Sequence, residues 1–174
     1  MALLAEELVE EWLNRSGYFT IRGIKLGVHE VDLLAIKHTP HGVVCRHIEV
    51  QASMRPVSYI TRVPKSVQKE TGRSATSSAK RDGNELLQGV IEWIDKKFHH
   101  PRKVQIKKQL WPAEWSKELV VNNVKSDEEL SLIASQGITI HRLNDLLSQM
   151  NSSSSYTAAG ADFYDLVQMG NARD

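Results

Sequence analysis

Two acidic residues stand where apolar ones are expected. Asp32 interrupts the run Val31-Asp32-Leu33-Leu34-Ala35-Ile36, and Glu49 interrupts Ile48-Glu49-Val50-Gln51. A charge in a buried strand is costly unless something compensates it. Strand alternation puts Glu49 and Gln51 on one face and Ile48 and Val50 on the other. If the two runs are hairpin partners, the carboxylates come close together. Close carboxylates repel, and a cation between them lets both stay ionised. Oxygen ligands of this kind suit Mg²⁺ or Mn²⁺. Taken singly, each acid reads more simply as a surface strand residue or half of a salt bridge. The pair on adjacent strands is what points to a site.

The elements that must carry these residues follow from periodicity. Ala5, Leu8, Val9, Trp12 and Leu13 share one helical face, and Gly17 sits where a helix ends. Strands are expected at Tyr18–Lys25, His29–Lys37 and Val43–Ala52, with Pro40, His41 and Gly42 turning between the last two. Residues 53–82 show little apolar pattern and read as a long, polar, basic excursion. A helix over Gly83–Phe98 presents Leu87, Val90, Ile91 and Ile94, and Asp82 with Glu85 has capping-box spacing. A strand at Glu118–Val124, a helix opened by Ser126 and Glu129, a strand at Ile138–Arg142 and a short helix at Asn144–Met150 complete the pattern. This order predicts an α/β fold, a mixed sheet of about five strands flanked by helices. Residues 1–150 read as one domain. Residues 151–174 read as a Ser-rich hinge and a helical tail using Phe163, Leu166 and Val167.

Ala5-Glu6, Trp12-Leu13, Gly17-Tyr18, His29-Glu30-Val31-Asp32-Leu33 and Ile48-Glu49-Val50-Gln51, in that order, resemble the PD-(D/E)xK nuclease superfamily. The similarity is greatest to archaeal Holliday-junction resolvases and restriction-endonuclease-like proteins. Motifs carry it over residues 3–53, and element order alone over 83–142. The resemblance implies a restriction-endonuclease-like αβββαβ core and metal-dependent phosphodiester hydrolysis, with DNA as substrate. It implies Asp32, Glu49 and the Val50 carbonyl as metal ligands. Glu6 matches the helix glutamate that closes the site in some members, with Glu7 and Glu10 as fallbacks, and Glu30 matches a commonly acidic position. It also implies a homodimer.

One position departs from the family pattern. Gln51 stands where the family carries lysine. Glutamine is neutral; it can orient water by hydrogen bonds but cannot act as a proton-accepting base. The alternative is therefore a non-catalytic nucleic-acid-binding module on the same fold.

Charge is unevenly spread. The net charge is +1, yet residues 51–108 hold 13 basic and 5 acidic side chains, between net acidic flanks. A basic middle fits a polyanion partner. Arg55, Lys65, Lys69, Arg73, Lys80 and Arg81 follow the proposed site and are candidate phosphate contacts, with Arg62 among the same run. Lys96, Lys97, Lys103, Lys107 and Lys108 read instead as an ordinary solvated face, and His38, His41, His99 and His100 as surface residues. The single cysteine, Cys45, reads as a small buried hydrophobe and fits a reducing cytoplasm. No apolar run approaches a membrane span, and the acidic N-terminal stretch does not resemble a secretory signal. Gly-rich phosphate loops and nucleophilic serine motifs are absent, which leaves ATPase and serine-hydrolase readings unsupported.

Overall fold

The apolar residues around Asp32 and Glu49 build neighbouring strands of a five-stranded mixed sheet, ordered β1-β2-β3-β4-β5. The computed structural model describes residues 2–152. Helix α1 (Ala2–Arg15) leads into β1 (Phe19–Leu26), β2 (His29–Thr39) and β3 (Gly42–Val57). Then come α2 (Lys65–Thr71), α3 (Gly83–Ile94), a π-helical turn (Asp95–His99) and α4 (Pro101–Leu110). The chain continues through β4 (Trp115–Val124), α5 (Asp127–Ser135), β5 (Thr139–Arg142) and α6 (Leu143–Ser152). Strands β1, β2 and β3 form an antiparallel meander, and β3, β4 and β5 run parallel. The expected α/β class and mixed sheet are therefore present. The proposed hinge from Ser153 onwards and the tail helix at 158–169 lie outside the described residues.

Glycine closes α1 as expected. Gly17 has φ 82, and the Tyr18 amide donates to the Leu13 carbonyl at 3.0 Å. Gly27, with φ 72, makes the tight turn into β2. Helices cover both sides of the sheet. On one, Leu8, Val9, Leu13 and Leu146 of α1 and α6 pack with Leu33, Ile48, Val50 and Val120. On the other, Val90, Ile94, Phe98, Leu130 and Ile133 pack on Leu119 and Val121.

Two expectations need correction. Residues 53–82 are not a patternless excursion, because β3 runs on to Val57 and α2 forms within the segment. Side-chain chemistry pins it down. The buried Glu129 carboxylate accepts from the Ile60 amide at 2.7 Å, the Thr61 amide at 3.0 Å and the Thr61 hydroxyl at 2.6 Å. Second, the buried face of α3 is Leu86, Gly89, Val90, Trp93 and Ile94, whereas Leu87 and Ile91 are exposed. A Cβ at Gly89 would lie 2.9 Å from the Arg62 carbonyl oxygen, so the returning segment presses directly on this helix. In addition, residues 101–110, where no element was expected, form a helix that hydropathy conceals, because the residues it buries are Lys103 and Lys107. Both cap expectations hold at their first half. Asp82 accepts from the Glu85 amide and Ser126 from the Glu129 amide. The glutamate carboxylates turn elsewhere, to Arg73 and to the 60–61 backbone.

Candidate active site

Regular pairing of β2 with β3 ends at Leu33↔Ile48. The next pair in that register would be Asp32 and Glu49. Here the Asp32 side chain takes over the ladder: its Oδ2 accepts from the Val50 amide at 2.8 Å. A strand residue that bonds through its N–H presents its C=O on the same edge, so the Val50 carbonyl is directed towards this opening. The Asp32 and Glu49 carboxyls come close enough to share a hydrogen bond. Gln51 lies two residues further along β3 on the Glu49 face, half-buried.

Glu49 is fully buried and has three donors. Lys97 Nζ lies 2.5 Å from Oε2, and Lys103 Nζ lies 2.8 Å from Oε1. His47 Nε2 lies 3.0 Å from Oε1. Lys107 Nζ approaches the other His47 nitrogen, Nδ1, at 3.2 Å. An ammonium has only donors, so this contact assigns Nδ1 as acceptor and Nε2–H as the donor to Glu49. Burial alone would raise the Glu49 carboxyl. The His47 bond and the ammonium groups of Lys97 and Lys103 outweigh it and bring it down to about 2. Asp32 goes the other way. Burial first, then the adjacent Glu49 charge, push it up to about 7 against the pull of Lys97 and the Val50 amide. The two acids are thus made unlike by their surroundings. Burial pushes His47 down to about 4 and Lys107 down to about 8.

The lysines were unexpected. Lys97, Lys103 and Lys107 are not a solvated face: Lys103 and Lys107 are buried, and Lys97 reaches between the acids, 3.9 Å from Asp32. Only Lys96 and Lys108 of that group are exposed. Lys97 sits in the π-helical turn, an irregularity that often marks functional sites. Lys97 thus stands beside both acids from an element far from Gln51 in sequence.

Glu6 is half-buried on α1 at the edge of the site. Burial and then the Glu30 charge raise its carboxyl, while Glu49 and Lys97 also act on it. Glu7 and Glu10 are tied to Arg22 instead, at 3.4 Å and 2.9 Å. Among the candidate phosphate contacts, Arg55, Lys65, Lys69 and Lys80 are exposed. Arg73 and Arg81 have partners within the protein. Arg73 pairs with Glu85 at 2.8 Å. Arg81 is buried, donates to the Thr61 carbonyl at 3.1 Å and lies over the Tyr59 ring at 4.1 Å.

The donor set fits a hard divalent cation in kind: two carboxylates and a main-chain carbonyl at one strand opening. Among the described residues, no group of three or more His, Cys, Asp or Glu side chains is arranged to hold a metal. A cation held here would use Asp32 and Glu49 with main-chain or water oxygens, and would compete with Lys97 for Glu49. No helix among the described residues is long and apolar enough to cross a membrane.

No family model matches the chain, and no curated protein does. Among solved structures it is similar to AF1548, a protein of unknown function. The two are 12% identical with a TM-score of 0.49, over 87% of this chain and 67% of that one.

Proposed function

We propose that this chain is a metal-dependent nuclease of the PD-(D/E)xK kind, hydrolysing phosphodiester bonds in DNA as an endonuclease. The observation that carries the reading is the trio Asp32, Glu49 and Lys97: two unlike carboxyls opposite one another on adjacent strands, with an ammonium against both. A structural ion pair has no need of a second acid that burial and repulsion keep at about 7. Mg²⁺ or Mn²⁺ would be held by Asp32, Glu49 and the Val50 carbonyl, where it would supply an activated water and neutralise phosphate charge. Lys97 provides the cation that Gln51 cannot, and stabilises negative charge on the phosphate as it is attacked. Gln51 orients water by hydrogen bonding. Glu6 closes the site from α1. Lys103 and His47 hold the Glu49 carboxylate in place from behind.

A second reading has its own support. Glu49 already has three donors, which favours a module that binds nucleic acid without cutting it. Supercoiled plasmid incubated with Mg²⁺, Mn²⁺ or EDTA separates the two. The nuclease reading expects nicking or linearisation with metal and none with EDTA. It also expects Asp32→Asn to abolish cutting, and Lys97→Ala to slow it by about 100-fold or more, as on losing one positioned charge-stabilising group. Binding without cleavage in either metal overturns that reading and leaves the binding module.

A further inference from the structure

The basic residues that face solvent beside the site do not come from one segment. Arg62 and Lys65 lie on the returning segment that presses against α3: the Arg62 backbone abuts Gly89, and the Lys65 amide donates to Glu92 at 3.2 Å. Gly89, Glu92 and Lys96 are spaced by three and four residues, so they follow one line along α3 into the π-helical turn. That line brings Arg62 and Lys65 towards Lys96, which immediately precedes Lys97. The row continues on the other side. The His29 and His100 rings stack 3.6 Å apart, and Arg102 donates to the Leu26 carbonyl at 3.3 Å, at the turn where β2 begins. Arg62, Lys65, Lys96 and Arg102 are exposed.

We infer that Arg62, Lys65, Lys96 and Arg102 form a continuous track for the phosphodiester backbone of a nucleic-acid strand, crossing the π-helical turn so that one phosphate arrives at Lys97. The inference rests on the nuclease reading for its partner and goes beyond it in naming the path. Mutual repulsion along the track is already visible. Partial burial, then the fields of Arg62, Lys97, Lys103 and Lys65, hold the Lys96 ammonium below its ordinary value. His29 is lowered by desolvation and then by His100, Lys103, Arg102 and Lys96. A chain of phosphates relieves both. Two acids lie close to the row, Glu92 beside the Lys65 backbone amide and Asp95 beside His99 at 3.0 Å, and the four basic side chains outnumber them. Glu6 and Glu30 lie near enough for the Glu30 charge to raise the Glu6 carboxyl, a negative pair that a phosphate strand would avoid.

The track differs from the basic run of residues 53–82 read as a whole. Arg73 and Arg81 are withdrawn from it by their own partners, and Lys96 and Arg102 enter it from elements distant in sequence. Phosphate contacts of this type set affinity and its salt dependence without reading sequence.

The test measures binding of a fluorescent DNA duplex by anisotropy in EDTA, across salt from about 50 to 300 mM. An Asp32→Asn background prevents cutting. The triple variant Arg62→Gln, Lys96→Gln, Arg102→Gln should bind about 10- to 1000-fold more weakly, with its log–log salt slope reduced by about 2 to 3, as for the loss of three phosphate contacts. The triple variant Arg55→Gln, Lys69→Gln, Lys80→Gln removes the same charge elsewhere and should lose much less. Circular dichroism confirms that both fold. If the second triple loses the affinity and the first keeps its slope, the track is wrong while the polyanion partner stands. If the Asp32→Asn protein shows no salt-dependent binding at all, the partner itself is wrong and the nuclease reading falls with it.

Discussion

At the residue scale, the site is defined by a difference between two acids of the same chemical type. Glu49 is held ionised by His47, Lys97 and Lys103, whereas Asp32 is left with burial and a neighbouring negative charge. The folded value of Asp32, about 7, lies above its ordinary 3.8. A raised carboxyl contributes its stability in full below its unfolded value, and that contribution is lost as pH rises through about 7. Ionised Asp32 is thus a standing cost at alkaline pH in the metal-free protein. Asp32→Asn keeps an acceptor for the Val50 amide and removes the charge. In EDTA it should be more stable than wild type by about 2–4 kcal/mol at pH 8 and by roughly half that at pH 5, measured by urea unfolding. A gain over wild type no larger at pH 8 than at pH 5 would show that Asp32 carries no such strain. The acids themselves were legible in the sequence, because a charge inside an apolar strand is conspicuous and the hairpin turn fixed the two strands as partners. Lys97 was not legible. It is 48 positions from Glu49, and nothing in the local pattern around it distinguishes a lysine that turns inward from one that is solvated.

Elements follow the same division. Those stabilised by apolar periodicity, such as α1 and the three-strand meander, lie within a few residues of where alternation and the 3.6-residue repeat place them. The elements that escaped are those held by buried polar groups. Helix α4 turns Lys103 and Lys107 inward onto Glu49 and His47, so its hydropathy pattern is the inverse of an amphipathic helix. The segment after β3 has few apolar residues because its anchor is Glu129 on α5, which caps the backbone at Ile60 and Thr61. That one carboxylate fixes the approach of Arg62 to α3 and hence the shape of the site's basic flank. Glu129→Ala strands buried donors that each cost about 1–3 kcal/mol, so a total loss of roughly 3–5 kcal/mol is expected. Glu129→Gln keeps one acceptor and should lose less. Limited proteolysis should then cut Glu129→Ala between residues 58 and 82 well before the wild type. Equal resistance in the two proteins would place the anchor of this segment elsewhere.

At the scale of the whole molecule, strand β3 separates two polar clusters by its pleat. Odd-numbered His47 and Glu49 face the α3 and α4 side. Even-numbered Arg46 faces the α1 side, where it forks onto Glu118 with Nε 2.7 Å from Oε1. Glu118 also accepts from His141 at 2.7 Å and from the Ser116 hydroxyl, while the Arg46 guanidinium lies over the rings of Trp12 and Tyr18 at 4.7 Å and 5.1 Å. This second cluster contains one acid, and its charge is matched by fixed donors. Nothing in it is left poised, which is the signature of a structural pair, and it ties β3, β4 and β5 to α1. Burial would raise Glu118, but the bonds from Arg46, His141 and Ser116 bring it down to about 2. Because the folded value lies below the ordinary 4.5, its stabilisation is complete above about 4.5 and drains away as pH falls through about 2. That window is opposite in sense to the one for Asp32 but is shared with Glu49, so only the loss of stability on the alkaline side distinguishes the first cluster from the second. The shift corresponds to roughly 2–3 kcal/mol. Glu118→Gln should therefore lose stability at pH 7 and then unfold less steeply than wild type between pH 4.5 and pH 2, followed by circular dichroism in urea. On the nuclease reading it should leave metal-dependent cleavage intact, since Glu118 lies on the other side of the sheet from Glu49. A Glu118→Gln protein with an acid limb as steep as the wild type would assign that limb to other carboxylates. Loss of cleavage at full folding would join the two clusters into one site.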